Sequence, residues 1–388
     1  MKNKHKYILL TTVLIIVFFT NLLWLSCIVV LFVFVSKLGH YLLNKINNRH
    51  LQKVSKTVFS FFIILTIAVL TRLFVVDVYS VPSESMENTL YKGDLILVNK
   101  LKYGPLLPRS PYEIPWVNIL YLLKENSKDA VQKKVWDNRR FSGFSEVENG
   151  DVLVFKKHES TTLFVKRCVA KAGDDFEIKN GEIYIDNKHQ SLSTNINNFY
   201  YFKVNDILEF SKEKETLNFD FDFQKKKQYN WFRAHLSYRE ASLIKELKSV
   251  DTIHKKIEPY KAGNGIFPSH LNTHWTVDNY GPIKIPKKNI LVDLKNKKDF
   301  VFYQHPIRSH ENNEITISKD ILYLKGIALD SYQFSQDYYF MMGDNRKKSK
   351  DSRFFGFIPK NKVIGNVVCV LFSTKDNKFQ WRRLFKFL

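Results

Sequence analysis

A chain of 388 residues that is 45% hydrophobic and 15% aromatic holds enough apolar material for one large core or two coupled ones, which excludes an intrinsically disordered protein. Its formal net charge is +22, but lysine is scattered through every segment, and no RNA-binding motif or basic helix with interleaved aromatics stands out. Nucleic acid is therefore not expected as a partner, while an anionic lipid surface suits the charge.

Residues 7–35 contain no charged side chain. As a helix rising ~1.5 Å per residue, that run exceeds the ~30 Å hydrocarbon core, and one tilted span is expected. Lys2, Lys4 and Lys6 precede it, yet the run is far too long for the apolar part of a cleavable signal and no small-x-small site follows. A second apolar run, 58–76, is broken only by Arg72, close enough to its end to snorkel to the interface. Between the two lie Lys37, Lys45, Arg49, Lys53 and Lys56, with no acidic residue. A loop so charged stays in the cytoplasm, which places everything after Val76 on the outer side. The basic N-terminal tail pulls the opposite way for the first span. Two runs of spanning length around a wholly basic loop disfavour buried core helices.

Beyond residue 76 the periodicity changes to short alternating runs bounded by Gly, Asn or Asp. They include Asp94-Leu-Ile-Leu-Val-Asn99, Asp151-Val-Leu-Val-Phe155, Leu163-Phe-Val-Lys166, Phe176-Glu-Ile178, Glu182-Ile-Tyr-Ile185 and residues 363–372. Such alternation predicts strands, mostly antiparallel. The expected fold is mainly β: an antiparallel β domain with an inserted β subdomain, behind two N-terminal transmembrane helices. The expected boundaries are a tail and first span at 1–36, a basic loop at 37–57, and a second span at 58–76. The main domain then occupies 77–194 and 337–388, with a Pro-rich, then charged and helix-like insertion at 101–145. Residues 195–336 form a peripheral β subdomain with some helix over 238–247. The three cysteines, Cys27, Cys168 and Cys369, are too few for a disulfide framework and none has CxxC spacing. Cys168 and Cys369 lie in strand-like runs, where a buried free thiol is the usual outcome and a bridge between them is the alternative.

Two segments hold the residues that could do chemistry. In Val81-Pro-Ser-Glu-Ser-Met86, Pro82 forbids a continuing helix, so Ser83 and Ser85 alternate in extended geometry. A serine at a turn is ordinarily a cap or simply solvated. Lys166 has Phe164 and Val165 before it and Cys168 and Val169 after it. Inside an apolar strand a lysine loses the solvation of its charged form, its pKa falls, and the neutral amine can take a proton from a serine hydroxyl. Lowering the pKa from ~10.4 to near 7 costs about 4–5 kcal/mol, which proteins seldom tolerate outside a site. Standing alone, the two segments would still be read as a solvated turn and an edge-strand lysine.

They do not stand alone. Pro82-Ser-Glu-Ser-Met-Glu-Asn-Thr-Leu90 is followed directly by Gly93-Asp-Leu-Ile-Leu-Val-Asn-Lys100. Next come Gly150-Asp-Val-Leu-Val-Phe-Lys156, Phe164-Val-Lys-Arg167 and Gly173-Asp174. Last come Met341-Met-Gly-Asp-Asn-Arg346, Ser349, Asp351-Ser-Arg353 and Gly356-Phe-Ile-Pro359. In this order, behind a two-span anchor, the motifs resemble those of bacterial type I signal peptidases, the Ser-Lys serine peptidases of the inner membrane. The resemblance implies a membrane-bound serine endopeptidase with Ser85 as nucleophile and Lys166 as general base. It implies an oxyanion hole from the Ser83 hydroxyl and the Ser85 N–H, and Ser349 bonded to the Lys166 amine to orient it. Asp344 with Arg167, and Asp351 with Arg353, are implied as structural ion pairs. Tyr79, Val81, Met86, Leu90, Phe164 and Val165 are implied as walls of shallow apolar pockets for the first and third residues before the cut, hence cleavage after small-x-small. No cofactor or metal is expected. The implied partners are signal peptides of secretory precursors, membrane lipid and the secretion translocon; the implied place is the inner membrane, with the catalytic domain on its outer face.

The pattern departs from the family in places. Asn88 stands where the family carries Pro, which is expected to loosen the turn after the nucleophile. Lys347 and Lys348 replace an acidic and amide pair and, if near Lys166, would help to keep it neutral. Lys171-Ala172 replaces an apolar residue and Pro. Among rivals, a self-cleaving repressor-type Ser-Lys peptidase would lack the two spans. A Ser-His-Asp hydrolase would need a histidine in context; His270 and His274 have i, i+4 spacing but read as loop or strand without a nearby carboxylate, and surface histidines are the better reading. A silent membrane scaffold would need none of Ser83, Ser85, Lys166 and Ser349.

Overall fold

The computed structural model describes residues 22–117, 119, 136–137, 139–157, 162–219, 221–226, 230–259, 265–268, 275–311, 314–375 and 378–388. The chain forms two compact units, one of Met1–Tyr79, Leu97–Glu146 and Ile364–Asn366, the other of Ser80–Ile96, Val147–Val363 and Val367–Leu388.

In the first unit, helix α1 spans Leu23–Leu43 and α2 spans Arg49–Leu70. Asn48 caps α2 by accepting from the N–H groups of His50 and Leu51. Gly39 lets the helices approach: a Cβ there would meet the Phe59 ring at 2.1 Å. At ~1.5 Å per residue both helices match or exceed a ~30 Å bilayer core, and large apolar side chains such as Leu31, Phe61 and Ile64 are exposed along them. They are long and apolar enough to cross a membrane. The stretch 37–57, expected as a loop, is helical except at 44–48: Lys37 lies on α1, and Arg49, Lys53 and Lys56 lie on α2. Local charge did not end the helices because Lys and Arg are good helix formers. Much of the first apolar run, and Lys2, Lys4 and Lys6, lie outside the described residues.

A π turn, Thr71–Val75, leads from α2 into β1 (Val76–Ser80), and β2 (Leu95–Asn99) follows. Asp77 gathers this corner, accepting from Arg72 Nε (3.0 Å), Lys100 Nζ (2.9 Å) and the Tyr79 hydroxyl (2.9 Å). The 101–145 insertion doubles back on itself, with Leu107 N–H donating to Arg139 O and Phe141 N–H to Pro105 O. Trp24 stacks on Phe141 at 4.5 Å and donates its indole N–H to Ser142 O. The helix-like part of that insertion lies mostly outside the described residues.

The second unit is mainly antiparallel β. Strands β3 (Val152–Lys156) and β4 (Leu163–Ala170) pair with Leu153 opposite Lys166. A meander follows, β5 (Asp175–Lys179), β6 (Glu182–Ile185) and β7 (Lys188–Gln190). Then come β8 (Asn197–Val204), β9 (Phe223–Lys225), β10 (Trp231–Ser237) and β11 (Val250–Lys255), a sheet in the order β11-β8-β10-β9. It carries helices α3 (Ile207–Glu215) and α4 (Tyr238–Lys245), the latter started by a Ser237–Glu240 capping box. Its core is its own, built on Phe202, Phe210, Phe232, Leu236 and Ile244.

The rest of the expected peripheral subdomain is not peripheral. Strand β12 (Tyr280–Lys284) pairs with β5, and Phe300, Phe302, Ile307 and Phe334 share one core with Phe176, Tyr280 and Phe340. The reason is burial: these aromatics are too large to be covered by short local hairpins, so they pack under the main sheet. In that sheet β20 (Val363–Phe372), β3, β4, β18 (Tyr338–Met342) and β19 (Ile358–Pro359) lie side by side in that order. Between β12 and β18, β13 (Leu291–Asp293) pairs with β17 (Ser331–Gln333), and the strands between them form a three-stranded meander. Cys27, Cys168 and Cys369 are all free, which settles the bridge alternative.

Candidate active site

Ser85 sits in a single 3-10 turn, Glu84–Met86, entered from Ser83 in extended geometry (φ −146°). The turn tightens because Pro82 cannot continue a hydrogen-bonded strand, and it is pinned where Val81 donates its N–H to Asp94 O and accepts from Gly93 N–H. Lys166 points from β4 onto this turn, and its Nζ is in hydrogen-bond contact with Ser85 Oγ. Ser83 Oγ lies 3.0 Å from the same oxygen. Lys166 is only 3% exposed and Ser85 6%, whereas Ser83 is open to solvent.

Burial pushes the Lys166 amine down to about 8; Asp351 and Asp344 oppose that shift, and Arg353 reinforces it. Each carboxylate is itself bound to arginine. Arg167 grips Asp344 with Nε (2.8 Å) and Nη2 (2.6 Å) and donates Nη1 to Gly150 O (2.7 Å). Arg353 grips Asp351 with Nε and Nη2, both at 2.9 Å. Burial would raise both carboxyls, but the guanidinium charge and the hydrogen bonds together outweigh it and hold each below the ordinary carboxylate range. Thr89 Oγ1 adds a 2.6 Å bond to Asp344, which ties the serine segment to the last motif. Both expected ion pairs are therefore present, and both are buried.

Four expectations need correction. Ser349 is buried but makes no hydrogen bond to Lys166, and its side chain packs over Gly343. The amine is already directed at Ser85, so nothing turns it toward Ser349. Lys347 and Lys348 do not bear on Lys166, because Lys347 is in a buried ion pair with Asp278 and Lys348 meets Glu84 at 3.2 Å. Asn88 does not loosen its turn: it is left-handed (φ 72°), a conformation closed to proline, and donates to Asn197 Oδ1 at 2.6 Å. Finally, four of the six expected pocket walls are buried side chains. Met86 and Leu90 are fully buried, Val81 and Val165 nearly so, and Met86 Sδ accepts from Asp344 N–H. Phe164 and Tyr79 are half-buried, and the Phe164 ring meets Phe355 at 6.2 Å. Tyr79 spends its hydroxyl on Asp77 within the other unit.

Phe355 also lines a cavity of about 390 Å³ with Lys156, Phe267, His305 and Phe357. Among the described residues no cluster suits a metal ion; His270 and His274 lie outside them.

Sequence reasoning overlooked two residues that hold the turn. A Cβ on Gly343 would lie 2.4 Å from Ser85 O and 2.3 Å from Ser349 Oγ, so only glycine fits there. Asn345 donates its backbone N–H to Ser85 O (3.0 Å) and Nδ2 to Glu84 O (3.1 Å). The signal was present in Met341-Met-Gly-Asp-Asn-Arg346, where a Gly and a buried-type Asn flank the Asp344 that was singled out.

The family model described as signal peptidase, peptidase S26, matches residues 54–242 and 283–372. Curated relatives described as signal peptidase I include one from Buchnera aphidicola subsp. Schizaphis graminum, 25% identical over 98% of this chain and 96% of its own length. Another, from Helicobacter pylori strain ATCC 700392 / 26695, is 24% identical over 83% of this chain and 89% of its own. A third, from Aquifex aeolicus strain VF5, is 22% identical over 82% and 85%. With the matched segments running from α2 through the Ser85 turn, β4 and the last motif, the chain belongs to the signal peptidase family, peptidase S26.

Proposed function

We propose that the protein is a signal peptidase I, a membrane-anchored serine endopeptidase in which Ser85 is the nucleophile and Lys166 the general base. The observation that carries the residue roles is the buried Lys166 amine, lowered to about 8, in contact with Ser85 Oγ. In its neutral form the amine takes the hydroxyl proton as Oγ attacks the scissile carbonyl, then gives it to the leaving amine. The acyl-Ser85 ester is hydrolysed by a water that the same amine deprotonates. Ser83 Oγ, beside Ser85 Oγ, and the Ser85 N–H are suited to receive the developing oxyanion.

Two apolar helices ahead of Ser85 support a multi-pass anchor, and the basic residues at and beside 44–48 support a cytoplasmic connection with the catalytic unit on the outer face. Ser85 follows Val76 by nine residues, a tether of at most ~3.5 Å per residue that keeps it near the membrane surface. Signal peptides, whose apolar cores lie in the bilayer, are thereby delivered by location rather than tight binding. Exposed Trp381, Phe385 and Phe387 beside Arg382 have interfacial chemistry and support contact with lipid. Delivery from the translocon, and cleavage after small-x-small, follow from the same reading.

The test is direct. Full-length protein in detergent is incubated with a secretory precursor, and the new N-terminus is sequenced. Cleavage after small-x-small by the native protein, and none by Ser85→Ala, is expected; cleavage by Ser85→Ala would refute the nucleophile.

A further inference from the structure

The sheet β11-β8-β10-β9 has a core of its own and contains none of the residues expected to react, yet the Asn197 side chain meets the residues just after the Ser85 turn and the His235 side chain meets Asn345, which bonds to that turn. Asn345 Nδ2 donates to Glu84 O (3.1 Å) and to Glu87 Oε2 (2.9 Å). Its Oδ1 is left to accept, and it faces His235 Nε2 at 3.1 Å, so the imidazole carries its proton on that nitrogen. Asn197, the first residue of β8, brackets Asn345 by donating to Asp344 O (2.8 Å) and accepting from Arg346 N–H (3.1 Å). Its side chain accepts from Asn88 Nδ2 (2.6 Å) and donates to Glu87 O (3.4 Å). Asn345 and Asn197 are fully buried. His235 packs on Phe199 at 5.0 Å; burial, then the charge of Lys348, lowers its pKa, which favours the neutral donor form.

We propose that Asn197 and His235 are positioning residues for the cleavage reaction. Acting through Asn88 and Asn345, they fix the turn that aims Ser85 Oγ at Lys166, so the inserted sheet is a working part of the catalytic unit. The proposal rests on the Ser85–Lys166 reading above. Neither residue touches substrate, so their loss falls on kcat and not on KM. A drift of ~1 Å in a reacting group costs ~10²-fold in rate.

The experiment measures kcat and KM of the full-length protein on one precursor, with thermal unfolding of every variant. His235→Ala and Asn197→Ala are expected to lose about 10- to 100-fold in kcat with KM held within about twofold. His235→Gln, whose amide can donate to Asn345 Oδ1, restores most of the loss. His254→Ala, on β11 of the same sheet, changes neither constant. Native kcat in both alanine variants, a Gln variant as impaired as Ala, or an equal loss in His254→Ala each overturns the proposal. Should His235→Ala or Asn197→Ala fail to fold, Asn88→Gly keeps the left-handed backbone while cutting the clamp, and native kcat there overturns it. All these outcomes leave Ser85→Ala inactive; a Ser85→Ala protein that still cleaved would instead remove the nucleophile assignment, and the clamp with it.

Discussion

Lys166 costs the fold stability through the same burial that suits it to chemistry. Its lowering from 10.5 to about 8, at ~1.36 kcal/mol per unit, is on the order of 3 kcal/mol. The sign follows from linkage: below pH 8 both folded and unfolded chains hold the proton and the cost is complete. Between about 8 and 10.5 the folded amine is already neutral, so stability rises with pH until the cost vanishes. Lys166→Met is therefore expected to abolish cleavage yet raise stability, by a margin that shrinks as pH climbs through that window; denaturant titrations at pH 7 and 10 check it. The same amine should govern the pH–rate profile, with cleavage rising through an apparent pKa near 8. A profile controlled at the solvent value of ~10.4 would show an exposed lysine. Ser83→Ala should retain cleavage reduced by about 10²–10³-fold, the usual value of one oxyanion donor.

The elements that meet at Ser85 tolerate little change because they approach backbone to backbone. Gly343→Ala would drive a Cβ to within 2.4 Å of Ser85 O; about 1–3 kcal/mol of destabilisation and a collapse of kcat are expected, measured by melting and turnover. Arg167→Met would strand the buried Asp344 carboxylate without its guanidinium, and about 3–5 kcal/mol should be lost. Adding Asp344→Asn to that variant should recover part of the loss, since the neutral amide removes the unpaired charge. At this scale the sequence was readable where alternation was clean, as in β2 and β6, or where a short apolar run was bounded by turn residues, as in β3. It was not readable for 275–336, where Phe300, Phe302 and Tyr303 join the main core from a helix, Lys297–Pro306, whose partners lie far away along the chain. Nor could spacing along the chain reveal that Asn197 would bracket Asn345.

For the whole molecule, charge and apolar length lead to a topology that labelling can test. In a variant with Cys27, Cys168 and Cys369 replaced by serine or alanine, Asn47→Cys should react with an impermeant maleimide only from the cytoplasmic side. Lys188→Cys, exposed on β7, should react only from the outside. The reverse pattern would overturn the orientation.

Composition and local pattern by themselves were enough for two apolar helices and a mainly antiparallel β domain behind them, whereas the pairing of Ser85 with Lys166, Asp344 with Arg167 and Asp351 with Arg353 came only from the resemblance of the ordered motifs to signal peptidases. The helices and the β domain are legible because helix length and strand alternation are local properties; the pairings needed the order of motifs along the chain. Tertiary structure alone decided that Ser349 leaves Lys166 alone, that Met86 and Leu90 are core rather than pocket, and that Lys347 is neutralised by Asp278. It alone seated Asn197 and His235 against the Ser85 turn. Those outcomes depend on which groups close packing brings within about 3 Å, and no run of residues along the chain encodes that distance.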